Sequence, residues 1–330
     1  MNARIDFDQI LPKTLVHKWS IDQVLLTSYV QQSRTETLLG AQLPRSHGLY
    51  CENMTENRNP DIAALIEICR QSCFVIAHTQ FEVPLSGNHF QFLFQELEAT
   101  TFPTQLTSKA SNEPTVKQPI LIVASSAVER EWKRGTGTSG LSWNFKLRTR
   151  DELDLGNVRI QQTWIERAKW KEMRGVMRRG RGLPPQPTLE SPPDSELRPS
   201  EVARSNPQNV VLQRVHKIED RYEAVARVDI RHPVLFDHSI DHIYAMVQTE
   251  ASRQLALYAA ADVLDVTAFD LEVGNCIAKF ISVGEFDVET KLVATVSVVP
   301  NGLADVTVVI SQNDRTVSRF SLNVRPVVPK

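Results

Sequence analysis

A carboxylate, a guanidinium and a carboxamide stand together in the stretch TEASRQLALYAA, residues 249–260. Glu250, Arg253 and Gln254 are spaced i, i+3 and i+4, which puts all three on one face of a helix. Their neighbours Ala251, Leu255, Ala256, Leu257, Ala259 and Ala260 are those of a helix enclosed on most sides. Two readings are open. Burial raises a carboxyl pKa toward neutrality and makes a general base, and the adjacent arginine offers a planar fork for a phosphate or a thioester oxygen. Alternatively, Glu and Arg one turn apart pair with each other and fix helix packing, because a buried charge left alone is costly.

The trio occurs twice. IEICRQS, residues 66–72, carries Glu67, Arg70 and Gln71 at the same spacing, 183 residues before the second copy. LVHKW (15–19) is echoed by RVHKI (214–218), and LPRSHGLY (43–50) lies where IRHPVLF (230–236) lies in the other half. His47 precedes Glu67 by 20 residues and His232 precedes Glu250 by 18. Matches in a common order indicate a duplicated chain.

Each copy must position its trio with the same elements: an irregular His-bearing loop, an apolar helix of about five turns, then strands. The first helix is expected to start near Asn59-Pro60-Asp61, with Asn59 as N-cap, and the second near Ser239–Asp241. FQFLF, PILIVAS, SWNFKLRT and NVRIQQTWI follow the first; VTAFDLEV, IAKFI, ETKLVATVSVV, DVTVVIS and RFSLNV follow the second. Alternation such as Phe90/Phe92/Phe94 and Phe320/Leu322/Val324 marks half-buried antiparallel strands, and QNDR (312–315) is a hairpin turn. A long helix wrapped by an antiparallel sheet is an α+β hotdog, here in tandem. The boundaries read as a first hotdog domain over 1–181, a flexible Pro/Ser-rich linker over 182–209 and a second hotdog domain over 210–330.

Composition restricts the function classes. With 330 residues, 42% hydrophobic and 23% charged, the chain can bury two ordinary cores. A net charge of −2 argues against a general nucleic-acid binder and gives no reason for membrane adsorption. The N-terminus does not read as a signal peptide, and no apolar stretch is expected to approach a membrane span. Four scattered cysteines (Cys51, Cys69, Cys73, Cys276) do not make a disulfide framework. The expectation is a cytoplasmic protein with reduced thiols.

VHK, LPRSHGLY, EICRQSCFVIAH and RHPVLFDHSIDHIYAMVQTEASRQ together resemble the A-factor biosynthesis hotdog family, whose enzymes start γ-butyrolactone and butenolide signals in actinomycetes. The resemblance spans essentially the whole chain outside the Pro-rich connector. The last motif also looks like the loop and helix of acyl-carrier dehydratases, where a catalytic His precedes a helix bearing an acid. Tyr244-Ala245 departs from the family's usual Pro-Gly. The resemblance implies transfer of a β-ketoacyl group from a thioester, on acyl carrier protein or CoA, to a hydroxyl of dihydroxyacetone phosphate, with no cofactor, metal, nucleic acid or membrane. A monomer or homodimer is expected.

Such a transfer requires a base, an oxyanion donor, a cation for the phosphate and a dry channel for the acyl tail. Glu250, Arg253 and Glu67 are the catalytic candidates; Arg70, Gln71, Gln254, His238, Asp237 and His47 are the substrate-binding ones. The site is expected to be composite, Glu67 of one half meeting the His238 loop of the other, with Glu250 and Arg253 lining the opposite, favoured pocket. The free N–H groups at the second helix's start would face the oxyanion. The rival activities are an acyl-thioester dehydratase or thioesterase, resting on His238, and a non-catalytic butenolide-binding protein.

Other motifs carry less. FDHSIDH (236–242) could ligate a metal through Asp237, His238, Asp241 and His242, but it occupies the catalytic-loop position. GTGTSG (135–140) precedes a strand and reads as a hairpin loop rather than a nucleotide fingerprint. Cys69 and Cys73 fit core packing. His47 and His232 read as loop anchors, and His17 and His216 as structural. The basic run from Arg167 to Arg181 either docks an acidic carrier protein or flanks the linker.

Overall fold

The computed structural model describes residues 4–52, 59–85, 90–103 and 118–327. In the first half, β1 (Leu26–Gln31) and β2 (Glu36–Leu43) precede helix α1 (Ile62–Gln80). Strands β3 (Phe90–Thr101), β4 (Ile120–Arg134), β5 (Gly137–Thr149) and β6 (Asp154–Glu166) follow it. Helix α2 (Arg167–Gly180) comes next. The second half repeats the plan with β7 (Leu212–Ile218), β8 (Arg221–Ala226), α3 (Ala245–Leu264), β9 (Leu271–Phe280), β10 (Lys291–Val299), β11 (Leu303–Gln312) and β12 (Arg315–Pro326).

All these strands form one sheet in the order β1-β2-β4-β5-β6-β3-β9-β12-β11-β10-β8-β7. Read outward from the centre, the two halves have the same order. They join where β3 pairs antiparallel with β9, at Ala99↔Cys276 and Glu98↔Ile277. This is the tandem hotdog expected from the duplicated sequence.

The two helices lack a polar face because each is wrapped by its own half-sheet. Every residue of α1 from Ile62 to Ala77 is buried, as is every residue of α3 from Ala245 to Leu257. By length and hydropathy α1 would suffice to cross a membrane, contrary to the expectation that no apolar stretch approaches a span; 89% of that window lies inside the protein.

Local details correct several expectations. Asp61, not Asn59, caps α1, accepting the Ala63 N–H at 2.9 Å. The second helix begins at Ala245 rather than near Ser239, because the preceding backbone is engaged elsewhere: the Ile243 N–H donates to the Gly284 carbonyl at 2.8 Å. VTAFDLEV and IAKFI are not two strands; Leu271 to Phe280 is the single strand β9. QNDR turns the β11–β12 hairpin, with Asn313 and Asp314 both at positive φ. GTGTSG falls at the β4–β5 hairpin, where Arg134 pairs with Gly137.

The last part of the expected linker carries short 3-10 turns and buried residues. Pro199–Val202 and Pro207–Asn209 form these turns, and Val202, Ala203 and Arg204 are buried. The basic run is not wholly a solvated flank either. Arg174 and Arg178 of α2 are buried and clamp Glu285 at 2.7 and 2.6 Å, and Arg178 also holds Asp287. Arg167, Lys169, Lys171 and Arg179 remain exposed.

Candidate active site

The two trios share the glutamine's bonds but differ in the arginine's, since Arg253 meets Glu250 only at 3.5 Å. In the first half Arg70 binds Glu67 through two N–H groups at 2.7 and 2.8 Å, and Gln71 donates to Glu67 at 2.9 Å. Gln71 also pins the chain before β1, donating to the Gln23 carbonyl and accepting from the Leu25 N–H. In the second half Gln254 does the same, donating to Glu250 and to the Asn209 carbonyl and accepting from the Val211 N–H. Each carboxylate also takes a cation from the segment before its half-sheet. Lys18 reaches Glu67 at 3.2 Å, and Arg204 grips Glu250 with two bonds of 2.9 and 2.7 Å.

This register corrects the VHK echo. Arg204, not Lys217, takes the place of Lys18; Lys217 lies on β7 and pairs with Asp262 on the surface. The histidine equivalence does hold. His47 Nδ1 accepts the N–H groups of Leu49 and Tyr50, and His232 Nδ1 those of Val234 and Leu235. Both therefore anchor their loops, and neither lines the large cavity.

The halves differ at the helix N-termini. At α1, the capping Asp61 draws in Arg253 at 3.0 Å and Arg204 at 3.5 Å. This cluster fills the space, leaving a gap of about 40 Å³ beside Asp61 and Arg253. At α3 the N-cap is Tyr244, whose side chain makes no capping bond. The first N–H groups of the helix, from Ala245 on, keep no side-chain cap. Here a cavity of about 930 Å³ opens, with Tyr244, Ala245, Arg70 and Lys18 on its wall. The expectation that Glu250 and Arg253 line the main pocket is thus not what the geometry shows. Those residues belong to the filled side, Glu250 only 2% exposed.

The cavity has an aromatic and an ionic part. Phe74, Phe90, Phe92, Phe94, Trp170, Met173 and Phe280 supply apolar wall. Phe92 stands edge-on to Phe74 at 5.0 Å, and the Arg70 guanidinium lies over Phe74 at 5.1 Å. Toward α3 the wall turns polar with His17, Lys18, Arg70, His238, His242 and Gln248. Gln248 donates to the Ile243 carbonyl, while its buried Oε1 finds no partner among the described residues.

Glu67 is not a raised-pKa base. Burial pushes its carboxyl up, but Arg70, Lys18 and the Gln71 amide outweigh burial and hold it well below the ordinary carboxylate range. It stays an anion that fixes Arg70 and Lys18, while burial draws the Lys18 ammonium's pKa below its ordinary value against the pull of Glu67. The second half contributes the loop ahead of α3. Asp237 accepts the N–H groups of Trp19 and Ser20 at 2.8 and 3.2 Å, so the His238 loop is tied to the Lys18 segment. The structure therefore brings together Glu67, Arg70, Asp237 and His238, and separates them from Glu250, Arg253 and Gln254. Gln71 and His47 stand behind the wall.

His17, read as structural, lies on the cavity wall, stacked on Phe74 at 4.2 Å with Nε2 2.8 Å from His78 Nε2. Burial first, then His78 and Arg70, lower its pKa to about 3. Cys69 and Cys73 are buried, and burial pushes both thiols far up, which leaves them inert core residues.

Lys18, Asp61, Arg204 and Tyr244 were not singled out from the sequence for these roles. Signals existed for Lys18, inside the VHK motif, and for Tyr244, in the departure from the family's Pro-Gly. Arg204 is hidden in a Pro/Ser-rich segment, and Asp61 stands two residues after the expected cap Asn59.

Comparison with known proteins agrees with the duplicated fold. The A-factor biosynthesis hotdog domain matches residues 2–147 and 186–328, one match per half. A 2-oxo-3-(phosphooxy)propyl 3-oxoalkanoate synthase of Streptomyces virginiae is 30% identical over 247 residues, 74% of this chain and 76% of that one. One of the same name from Streptomyces griseus is 26% identical over 74% of each chain. Among solved structures, an oleoyl thioesterase (putative) from Lactobacillus plantarum superposes with a TM-score of 0.52 at 10% identity, covering 88% of this chain and 96% of its own, a likeness of fold alone. With both halves matched, the chain belongs to the A-factor biosynthesis hotdog family.

Proposed function

We propose that the protein is an acyltransferase that moves a β-ketoacyl group from a thioester to the hydroxyl of dihydroxyacetone phosphate. The product is the type of ester for which its Streptomyces relatives are named. The observation that carries this reading is the asymmetry of the duplicated site: one helix N-terminus is filled by an internal salt cluster, and the other opens on the 930 Å³ cavity.

The acyl tail lies along Phe74, Phe92 and Phe94, where the aromatic wall excludes the water that would compete with the acceptor hydroxyl. The thioester oxygen sits at the α3 N-terminus, whose N–H groups and dipole stabilise the tetrahedral oxyanion. Arg70 and Lys18, held in place by Glu67, attract the phosphate. Gln248 Oε1 accepts a hydroxyl of the acceptor. The exposed cations of α2, next to Trp170 and Met173 on the cavity wall, suit an acidic carrier protein or the phosphates of CoA.

The test is mass spectrometry of the purified protein with a β-ketoacyl thioester, with and without dihydroxyacetone phosphate. A phosphorylated ester, or the butenolide that forms from it, is expected only with the acceptor. Free acid or an altered thioester regardless of acceptor would replace the proposal with a thioesterase or dehydratase.

A further inference from the structure

The cavity wall carries four histidines, and their hydrogen bonds separate them. His78 has both ring nitrogens engaged, Nδ1 with the Val83 carbonyl at 2.6 Å and Nε2 with His17 at 2.8 Å. That contact also occupies His17 Nε2. His238 Nδ1 is buried without a partner among the described residues, 3.7 Å from Asp237, whose oxygens already serve Trp19 and Ser20. His242 is different. Its Nδ1 lies 2.6 Å from Asp241 Oδ1, and no bond to Nε2 occurs among the described residues. The ring is 8% exposed and meets Trp170 edge-on at 5.6 Å.

Asp241 is itself held. Arg174 donates to its Oδ2 at 3.1 Å and to its carbonyl at 3.1 Å, while two further N–H groups of Arg174 grip the fully buried Glu285 at 2.7 Å. A carboxylate accepting the Nδ1 proton fixes the tautomer whose Nε2 lone pair is free, and it stabilises the imidazolium that forms when Nε2 takes a proton. Arg174 belongs to α2, which lies between the two family-matched segments.

We propose that His242 is the general base of the cavity, with Asp241 and Arg174 as its positioning residues. The proposal rests on the acyl-transfer reading above. His242 Nε2 removes the proton of the acceptor hydroxyl as that oxygen attacks the thioester carbonyl, forming the C–O bond. Collapse of the tetrahedral intermediate breaks the C–S bond, and the departing sulfur takes the proton from the imidazolium. Ester and thiol leave, and the histidine is neutral again.

The experiment measures transfer by wild type, His242→Ala, His242→Gln, Asp241→Asn and the His242→Ala/Asp241→Asn double variant, with unfolding curves for each. His242→Ala is expected to lower kcat by about 10²–10⁴-fold, and added imidazole to restore part of it. Asp241→Asn is expected to lower kcat about tenfold with the KM for thioester unchanged, and to cost nothing further in the double variant. A folded His242→Ala or His242→Gln protein within threefold of an active wild type would overturn the proposal. So would a loss that imidazole does not relieve. If wild type instead hydrolyses or dehydrates the thioester, the transfer reading fails on its own. The variants are then compared on that reaction, where retained activity overturns the dyad and a rescuable loss supports it.

Discussion

Glu250→Gln separates structure from catalysis in this duplicated site. The Glu250 carboxylate receives two N–H groups from Arg204, one from Gln254 and one from Arg253 at 3.5 Å, all in an environment where Arg204 is 1% exposed. A carboxamide keeps one acceptor oxygen and turns an NH2 toward the guanidinium, so buried donors are left unmatched and the Arg204 charge loses its closest counter-ion. Removing one partner of a buried pair costs about 3–5 kcal/mol. Asp61 at 3.5 Å and Glu52 at 3.8 Å still face Arg204, which places the cost at the lower end. The expected result is a loss of about 3 kcal/mol and a fall of about 4 °C in unfolding temperature. The kcat of the folded protein stays within about twofold, because Glu250 is not on the cavity wall. Urea denaturation and steady-state transfer on the same preparation measure both. A hundredfold loss of kcat at unchanged stability would refute the reasoning and restore Glu250 as a catalytic group.

Three further outcomes are expected. Phe92→Trp fills the aromatic part of the cavity and shifts preference to shorter β-ketoacyl chains, by about fourfold in kcat/KM for each methylene displaced at roughly 0.8 kcal/mol; an unchanged chain-length profile would place the tail elsewhere. His232 is 6% exposed, and burial lowers its pKa to about 4. The stability it confers is complete above the unfolded value near 6.5 and is lost as pH falls toward 4, at about 1.4 kcal/mol per pH unit. In His232→Gln the stability–pH slope over that window, read by denaturant titration, flattens by one proton; an identical slope would contradict the assignment. Gly156→Ala places a Cβ 2.2 Å from the Thr100 carbonyl oxygen across the β3–β6 pair. A greater loss than the roughly 1–3 kcal/mol of ordinary overpacking is expected, and an unchanged melting temperature would show that the strands can separate there.

Much of the architecture was legible in the chain. Glu-x-x-Arg-Gln and the loop histidines recur because each half needs the same internal bonds: a Gln to pin the incoming strand, a Glu to receive a cation, a His to accept two backbone N–H groups. Alternation in β3 and β12 and the Asn-Asp turn revealed the strands for equally local reasons. What was not legible depended on partners far apart in sequence. Arg204 lies in a segment whose composition reads as a linker, yet its guanidinium completes the second trio. The basic residues of α2 look solvated until Glu285, Asp287 and Asp241 are found opposite them. Which pocket is open turns on one position, Asp61 in one half and Tyr244 in the other. A carboxylate there caps its helix and recruits arginines; a tyrosine there does neither. From sequence alone, the better-matched motif around Glu250 pointed to the filled side.

The proposed chemistry requires a single open site among the described residues, at the α3 N-terminus. Its most direct test is to bind a β-ketoacyl pantetheine analogue with nitrogen in place of the thioester sulfur, measure stoichiometry by calorimetry and determine the structure of the complex. One analogue per chain is predicted, its acyl chain against Phe74 and Phe92 and its carbonyl oxygen at the Ala245 end of α3. Two analogues per chain, or one lodged beside Asp61 and Arg253, would contradict it.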